Sequence, residues 1–314
     1  MSTNSIVSTL ADAIPFPLLH RGKVRELYEW DADTLLIVVS DRISAFDCVL
    51  EPAVPDKGTV LNRLSRYWFE RTKHIIGNHV IPCDEECLRT ALSARLGTEP
   101  EPHQRISSLV SLLSERMTLA KRAQRVDFEC VVRGYVTGGG WRQYTATGEV
   151  NGIKLPEGLR MNERLPEPIF TPARKHDEGH DEDVSFEVME AQLGPDLAGR
   201  LRDASLRLYR FAAEECAGKG LLLADCKFEF GLIDGELVLI DELFTPDSSR
   251  FWDVGSYALD TDIDSLDKEP VRRYLAASDW DRSSTPPPLP AEVVEATRGR
   301  YIALYERITA QRWA

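Results

Sequence analysis

Short apolar runs separated by polar turns dominate the chain, and they predict strands. The run "TLLIVVS" at 34–40 is rich in β-branched residues and follows the turn-like "DAD", which predicts a buried strand. The preceding "VRELYEW" alternates polar and apolar residues, and we expect it to pair with this strand as a hairpin. Another strand is predicted for "FECVVRGYV" at 128–136, which runs into "TGGGW", where consecutive glycines release the backbone from the usual steric limits.

A second hairpin gives the clearest local prediction. Residues 221–242, "LLLADCKFEFGLIDGELVLIDE", contain two strand-like runs on either side of Asp234-Gly235. This dipeptide suits a two-residue turn, which requires positive φ. Apolar residues at helical spacing predict helices within 60–76, 196–217 and, at the terminus, 290–312.

The segment 150–184 differs from its surroundings because it is dense in proline, glycine and charge. We interpret it as a long surface loop, and loops of this length are often functional. The whole chain of 314 residues is longer than a single core usually supports, so we expect two lobes.

The net charge of −13 disfavours nucleic acid as a partner, because such binding depends on a positive field. Short basic clusters such as "RGKVR" still allow a small anionic ligand. Six cysteines without metal-site spacing predict reduced thiols, including Cys83 and Cys87 in "PCDEEC". No run is long enough to cross a membrane and the N-terminus is a poor signal peptide, so we expect a cytoplasmic protein with no membrane partner.

Charged residues alternate with apolar ones on the first strand of the second hairpin. Asp225, Lys227 and Glu229 share a face, because side chains two apart on a strand project to the same side. Taken alone, they fit a solvated outer face equally well. The partner strand ends in Asp241-Glu242, and carboxylates that converge with a lysine are typical of Mg²⁺ sites that bridge nucleotide phosphates.

The register of this hairpin decides where Asp241 points. A strict two-residue turn places Glu242 opposite Lys227 and turns Asp241 to the other face. A one-residue bulge would bring Asp241 onto the face of Glu229. A shared metal site therefore predicts a bulge.

Cations elsewhere suggest phosphate contacts. Lys23 and Arg25 lie beside a glycine in "RGKVRELYE" and are expected to share a strand face, although a solvated edge strand is the alternative. No G-x-x-x-x-G-K-[ST] motif occurs, so any ATP site does not use a P-loop. The planar fork of arginine suits phosphate or carboxylate, and the candidates are Arg133, Arg250 and Arg272.

Seven stretches, in one order, resemble the SAICAR synthetase family, the phosphoribosylaminoimidazole-succinocarboxamide synthases of purine biosynthesis. They are "RGKVRELYE", "SDRISAFD", "DKGTVLNRLSRYWF", "VVRGYVTGGGW", "PEPIFTPARKHDEGHDED", "LADCKFEFG" and "DELFTPDSSRFWD". The last three, at their spacing, are specific to this family. The resemblance implies an α+β fold of two lobes with antiparallel sheets and an ATP cleft between the lobes.

The resemblance also implies a ligase that joins L-aspartate to carboxyaminoimidazole ribonucleotide through an acyl phosphate, with ATP giving ADP and phosphate. Residues 1–120 would form the ATP-binding lobe with the glycine-bearing hairpin. Residues 121–314 would form a larger lobe with the ribonucleotide and magnesium sites and the C-terminal helix 290–312. Phosphoryl transfer mainly requires positioning and charge neutralisation, which cations and Mg²⁺ supply.

Site residues follow from the resemblance position by position. Lys23, Arg25, Glu229 and Asp241 would bind ATP, and Glu229 and Asp241 would also bind Mg²⁺. Catalytic roles fall to Lys227, Lys175 and Asp181, with His180 beside the last two. The expected ribonucleotide contacts are Arg133, Asp247, Ser249, Arg250, Arg272, Ser44 and Asp47.

The chain departs from its relatives at three positions. Gly139 stands where many have a serine, so a backbone N–H or water would replace a hydroxyl contact. Cys226 replaces a threonine on the face opposite Lys227, which we interpret as a packing change. His176 is an additional histidine beside Lys175, which leaves its role in aspartate binding open.

Two other functions fit parts of the pattern. A kinase-like phosphotransferase would use the same ATP site on another acceptor and would not require aspartate. A catalytically silent nucleotide-binding protein would account for the acidic face and the proline-rich segment. Simple binding, however, does not require the metal carboxylates Glu229 and Asp241 to accompany Lys23, Lys227 and Arg250.

Overall fold

A computed structural model describes residues 13–97, 100–176, 181–282 and 284–313. The strands are β1 (Leu18–Arg21), β2 (Arg25–Glu29), β3 (Thr34–Val39), β4 (Ile43–Ala45), β5 (Cys48–Leu50), β6 (Val80–Ile81), β7 (Met117–Lys121), β8 (Gln124–Arg125), β9 (Phe128–Tyr135), β10 (Glu149–Val150), β11 (Ile153–Lys154), β12 (Arg164–Arg174), β13 (Glu182–Asp183), β14 (Leu221–Ile233), β15 (Glu236–Ile240) and β16 (Ser249–Asp253). The helices are α1 (Lys57–Thr72), α2 (Glu85–Leu96), α3 (Pro100–Leu113), α4 (Gly138–Thr147), α5 (Phe186–Leu193), α6 (Pro195–Ala217), α7 (Glu269–Ala277) and α8 (Ala291–Thr309).

One compact unit is built from the described parts of Met1–Tyr67, His79–Arg122 and Glu269–Tyr305. Its antiparallel sheet has the strand order β1-β2-β3-β7-β6. One face of the sheet packs on α2 and α3 through a cluster of buried apolar side chains, among them Tyr28, Leu36, Val38, Leu88, Leu92, Ile106 and Leu113. The hairpin of β4 and β5 packs separately against α7 and the start of α8.

The second unit comprises Trp68–Asn78 and the described parts of Ala123–Lys268 and Glu306–Ala314. Its antiparallel sheet follows the order β13-β12-β9-β14-β15, and β16 and β8 also pair with β14. The 13-residue β14 is long enough to pair with several strands along its length. Helix α6 covers this sheet with a buried apolar stripe that includes Ala198, Leu201, Leu208 and Ala212. Both units mix helices with antiparallel sheets, which confirms the predicted α+β class.

The hairpin predicted at 221–242 is confirmed. Ile233 pairs with Glu236 across Asp234 and Gly235, whose φ angles of 53° and 80° are those of a two-residue turn with positive φ. The ladder then continues without a shift to Glu229↔Ile240. The bulge expected in this hairpin is therefore wrong, and the chain instead leaves the ladder at Asp241, where φ is 66°.

The expectation of a long surface loop at 150–184 is also wrong. Eleven of its residues form β12, which pairs with β9 from Ile169↔Arg133 to Arg174↔Phe128. The register is irregular between Arg164 and Ile169. Pro166 and Pro168 lie in this interval, where the missing N–H groups interrupt no regular ladder.

Reduced thiols at the close cysteine pair were expected, but Cys83 and Cys87 form a disulfide with a Cα–Cα distance of 5.4 Å. The pair flanks the first turn of α2, whose N-cap Asp84 accepts a hydrogen bond from the Cys87 N–H at 2.9 Å. The remaining cysteines carry free thiols. Among the described helices, none has both the length and the apolar character needed to span a bilayer.

Candidate functional site

The charged face of β14 carries the first part of the site. Asp225, Lys227 and Glu229 alternate with Cys226 and Phe228, which are buried on the opposite face. The Lys227 ammonium donates to Glu129 Oε1 at 2.5 Å and lies 3.6 Å from Glu229 Oε1. The predicted lysine is therefore held between two carboxylates.

Lys175, immediately after β12, completes this group. Its Nζ donates to Glu229 Oε1 at 2.6 Å and lies 3.8 Å from Glu129 Oε1. Two ammonium groups thus alternate with two carboxylates. We call Glu129, Lys175, Lys227 and Glu229 the lysine–glutamate cluster. The structure brings together three residues predicted for one site, together with a fourth, Glu129, that was not predicted.

Glu129 was missed because its strand reads as core. It lies on β9, where Glu129, Val131 and Arg133 share a face by alternation. A carboxylate between buried apolar residues requires a cationic partner. This requirement, together with Arg133 on the same strand, was the sequence signal that could have identified Glu129 as a site residue.

Electrostatics couples the members of the cluster. Burial alone would lower the pKa of Lys227, but the charges of Glu129, Glu229 and Asp241 outweigh it and hold that pKa above its usual range. Lys227 therefore stays protonated. Burial raises the pKa of Glu129; Lys227 opposes this shift, whereas the negative charges of Asp181 and Glu229 add to it.

Asp241 joins the cluster from the end of β15. Its left-handed backbone, rather than a bulge, follows the last ladder pair, Glu229↔Ile240. Its negative charge contributes to the raised pKa of Lys227, after the charges of Glu129 and Glu229. The shared metal site of Asp241 and Glu229 stays a prediction.

The oxygen donors of this cluster suit a hard divalent cation. Among the described residues, no group of three or more His, Cys, Asp or Glu side chains is arranged to hold a metal ion. Mg²⁺ does not require such a cage, since it commonly takes one or two carboxylates together with phosphate oxygens and water. Both lysines contact Glu129 through Oε1, and within the described chain Oε2 has no partner. The residues present therefore fit Mg²⁺ bound together with a phosphate ligand.

A second group lies further along the same face of β14. Asp225 pairs across the sheet with Arg133 on one side and Arg250 on the other. Its Oδ2 accepts from Arg250 Nη1 at 3.1 Å and lies 3.5 Å from Arg133 Nη1. Arg250 Nε also lies 3.9 Å from Asp267. We call Arg133, Asp225, Arg250 and Asp267 the arginine cluster.

The arginine cluster retains donors for a ligand. Arg133 uses Nε to donate to Thr171 Oγ1 at 3.1 Å. Within the described residues, Nη2 of Arg133 and Nη2 of Arg250 donate no hydrogen bond. Two guanidinium groups that share one carboxylate and keep N–H groups available form an anion site suited to phosphate or carboxylate.

The triple glycine makes room for these arginines. Gly138, with φ of 55°, begins α4, and a Cβ added there would lie 2.8 Å from both Nη1 and Nη2 of Arg250. A Cβ at Gly140 would lie 3.2 Å from Arg133 Cδ. These two glycines are therefore explained by close approach to the arginine side chains. Gly139 has no such crowding, since its Cβ would lie 3.8 Å from Arg142 Nη2.

The loop after β15 carries Asp247 and Ser249. The Asp247 N–H donates to the buried Thr245 Oγ1 at 3.2 Å, which ties this loop to the core. Ser249 Oγ is buried and has no hydrogen-bond partner within the described chain. Phe251 and Trp252, which follow Arg250 on β16, are buried and anchor that strand.

The other predicted residues lie in the first unit. Lys23 forms an ion pair with Asp47, at the tip of the β4–β5 hairpin. Lys23 lies in the turn before β2 and not on the strand with Arg25. Arg25 lies close to the buried His79, whose pKa falls to about 4 through burial and the charge of Arg25.

Ser44 lies on β4, opposite Val49. Arg272 lies on α7, 3.9 Å from Glu269. In the second unit, His176 follows Lys175 and lies 3.6 Å from Glu182. His180 falls outside the described residues.

Comparison with known proteins covers nearly the whole chain. A sequence profile of the SAICAR synthetase family matches residues 18–287. The phosphoribosylaminoimidazole-succinocarboxamide synthase of Elusimicrobium minutum is 46% identical, over 94% of this chain and 97% of that protein. The enzyme of the same name from Rhodopirellula baltica is 47% identical, over 97% and 96%. The solved structure of Saccharomyces cerevisiae SAICAR synthase complexed with SAICAR has a TM-score of 0.86 and 38% identity, over 99% of this chain and 100% of that one.

Proposed function

Because the chain belongs to the SAICAR synthetase family, we propose that it is the ATP-dependent ligase that joins L-aspartate to carboxyaminoimidazole ribonucleotide. The products are SAICAR, ADP and phosphate, in purine biosynthesis. The observation that carries the proposal is the pair of charged clusters on one face of β14. Asp225 belongs to one cluster and Glu229 to the other, and four residues of strand separate them by roughly 13 Å. That spacing suits two anionic substrates held side by side.

The arginine cluster is proposed to bind the ribonucleotide. The spare Nη2 groups of Arg133 and Arg250 supply forked donors for its phosphate or its carboxylate. Ser249 Oγ, a buried hydroxyl without a protein partner in the described chain, is available to bind the same ligand. The remaining proposed ribonucleotide contacts rest on the family resemblance, and they are Asp247, Arg272, Ser44 and Asp47.

The lysine–glutamate cluster is proposed as the phosphoryl-transfer side. Glu229 and Asp241 would hold Mg²⁺, and the available Oε2 adds Glu129 to that set. When bound there, Mg²⁺ supplies charge neutralisation at the phosphates. Lys23 and Arg25 are the proposed ATP-phosphate contacts outside the cluster.

Lys227 and Lys175 are proposed to stabilise the charge that develops as the acyl phosphate forms and breaks. The raised pKa of Lys227 keeps it charged, so its role is electrostatic and it does not act as a base. Lys175 is held against Glu229 in the same cluster. Asp181, whose charge reaches Glu129, completes the proposed catalytic set from the segment that follows Lys175.

The proposal is tested by incubating the protein with ATP, Mg²⁺, aspartate and carboxyaminoimidazole ribonucleotide and omitting each component in turn. We expect ADP and SAICAR, identified by mass, to appear in equal amounts and only in the complete mixture. ADP formed equally well without aspartate would indicate a phosphotransferase instead. Binding of ATP without any turnover would indicate a nucleotide-binding protein.

A further inference from the structure

The turn between β1 and β2, residues 22–24, is held from one side by the segment that follows β3. We propose that Arg42 is a positioning residue, which shapes this turn so that its backbone N–H groups face the phosphates of the nucleotide. The inference rests on the proposed function, in which Lys23 of the same turn contacts ATP. It adds a role for Arg42, assisted by Ser40, and for the backbone of the turn.

Three successive carbonyl groups of the turn are all bound by this neighbouring segment. Arg42 donates from Nη2 to the Gly22 carbonyl at 3.1 Å and from Nε to the Lys23 carbonyl at 2.9 Å. Ser40 donates to the Val24 carbonyl from its backbone N–H at 2.9 Å and from Oγ at 2.8 Å. The negative ends of these peptide dipoles are therefore turned toward Ser40 and Arg42.

The N–H groups of the same peptides must point the other way. In a trans peptide the C=O and N–H groups are antiparallel, so the partners of the Gly22 and Lys23 carbonyls are the N–H groups of Lys23 and Val24. Neither N–H donates to an acceptor within the described residues. Successive N–H groups that point out of a turn form a concavity that binds anions. The lysine ammonium beside them adds positive charge.

Arg42 is held rigidly enough to impose this shape. Its third nitrogen, Nη1, lies 3.0 Å from Oε1 of Glu26, whose side chain is fully buried. Glu26 is itself bound by the Tyr28 hydroxyl at 2.5 Å and by Arg21 Nε at 3.2 Å. Three nitrogens of one planar guanidinium thus have three separate partners, an arrangement that a lysine ammonium does not reproduce.

Binding of MgADP, measured by calorimetry, tests the inference together with KM values for ATP and the ribonucleotide. We expect Arg42→Ala to weaken MgADP binding and raise the KM for ATP at least about tenfold, since misplaced contacts cost this much or more. The KM for the ribonucleotide should change less than about threefold. Arg42→Lys should recover only a small part of the loss. Arg21→Ala is the matched control, because Arg21 contacts the same Glu26 without touching the turn carbonyls.

Loss of Arg42 also leaves the buried Glu26 carboxylate without its main cation, so the single variant is expected to be less stable. The double variant Glu26→Gln, Arg42→Ala removes that buried charge and should recover thermal stability. We expect MgADP binding to stay weak in the double variant. Recovery of binding together with stability would overturn the inference, as would equal effects of Arg21→Ala and Arg42→Ala. Wild-type protein that binds MgADP but makes no SAICAR would contradict the proposed function and leave the Arg42 comparison valid.

Discussion

The two clusters on β14 have similar charge counts but use them in different ways. In the lysine–glutamate cluster, each ammonium lies between two carboxylates. Both lysines contact Glu129 through Oε1, so the acceptor that stays available is Glu129 Oε2. In the arginine cluster, two guanidinium groups converge on one carboxylate, Asp225, and the atoms left over are N–H donors. One cluster therefore offers acceptors suited to a cation, and the other offers donors suited to an anion. The difference lies in the shape of the cation: an arginine fork keeps spare donors, whereas a lysine ammonium is a compact charge.

The largest expected effect is in the lysine–glutamate cluster. Lys227→Met removes the cation between Glu129 and Glu229, and kcat should fall roughly 10²–10³-fold, as for loss of a group that stabilises transition-state charge. Steady-state SAICAR formation measures this. Lys154→Met is the control, because Lys154 is exposed on β11 and the same change there should leave kcat unaltered. Activity within about threefold of wild type in Lys227→Met would show that this lysine is not catalytic.

The second prediction concerns the arginine cluster. Arg250→Lys keeps the charge but loses the fork, so the KM for the ribonucleotide should rise about tenfold, with the KM for ATP within about twofold. Initial rates at varied concentrations of each substrate separate the two values. Arg160→Lys serves as the control, because Arg160 pairs with Asp260 at the surface. Equal losses for both substrates would place Arg250 outside the ribonucleotide site.

A smaller effect is expected at the glycine turn that makes room for Arg250. Gly138→Ala places a methyl group 2.8 Å from the Arg250 guanidinium, so the KM for the ribonucleotide should rise about threefold to tenfold. Gly148, at the other end of α4, also has positive φ, but a Cβ there meets no atom within 4 Å. Gly148→Ala therefore reproduces the backbone strain, about 1–2 kcal/mol of lost stability, without the clash. Identical KM values in the two variants would contradict the proposed link between Gly138 and Arg250.

From the sequence we predicted Arg133 and Arg250 of the arginine cluster and three of the four members of the lysine–glutamate cluster. The strand face of β14 could be predicted because alternation along one strand is a local signal. Asp234-Gly235 fixed the hairpin, and the spacing of Asp225, Lys227 and Glu229 fixed their common face. Glu129 was not predicted, because a carboxylate in an apolar strand shows its role only when a cation on another strand is seen beside it.

The remaining differences also depend on long-range partners. The proline-rich segment 150–184 resembles a loop when only its local sequence is considered. It nevertheless contains β12, because β9 pairs with it beyond Pro166 and Pro168. The direction of Asp241 depends on one left-handed residue, and alternation carries no information about such a change. Arg42 lies in "SDRISAFD", one of the stretches that resemble the family. Its contacts with the carbonyl groups of Gly22 and Lys23, however, form only when the first sheet is folded.

The smallest expected effect is a dependence of stability on pH, and its sign separates Glu129 from an exposed glutamate. Burial raises the pKa of Glu129. Between the ordinary glutamate pKa and this raised value, the folded protein keeps a proton on Glu129 that the unfolded chain has released. Its contribution to stability is present below the ordinary glutamate pKa and is lost as pH rises through the raised value. Glu129→Gln should abolish this loss, so the variant should gain stability relative to wild type as pH rises.

Glu187, at the start of α5, provides the opposite case. Its pKa is lowered by the Ser185 hydroxyl and by its own backbone N–H, so its contribution is present at higher pH and is lost as pH falls through the lowered value. Urea unfolding at steps from about pH 3 to about pH 7 should therefore give difference curves of opposite slope for Glu129→Gln and Glu187→Gln. Slopes of the same sign would mean that Glu129 is charged in the folded protein and stabilised there by Lys227.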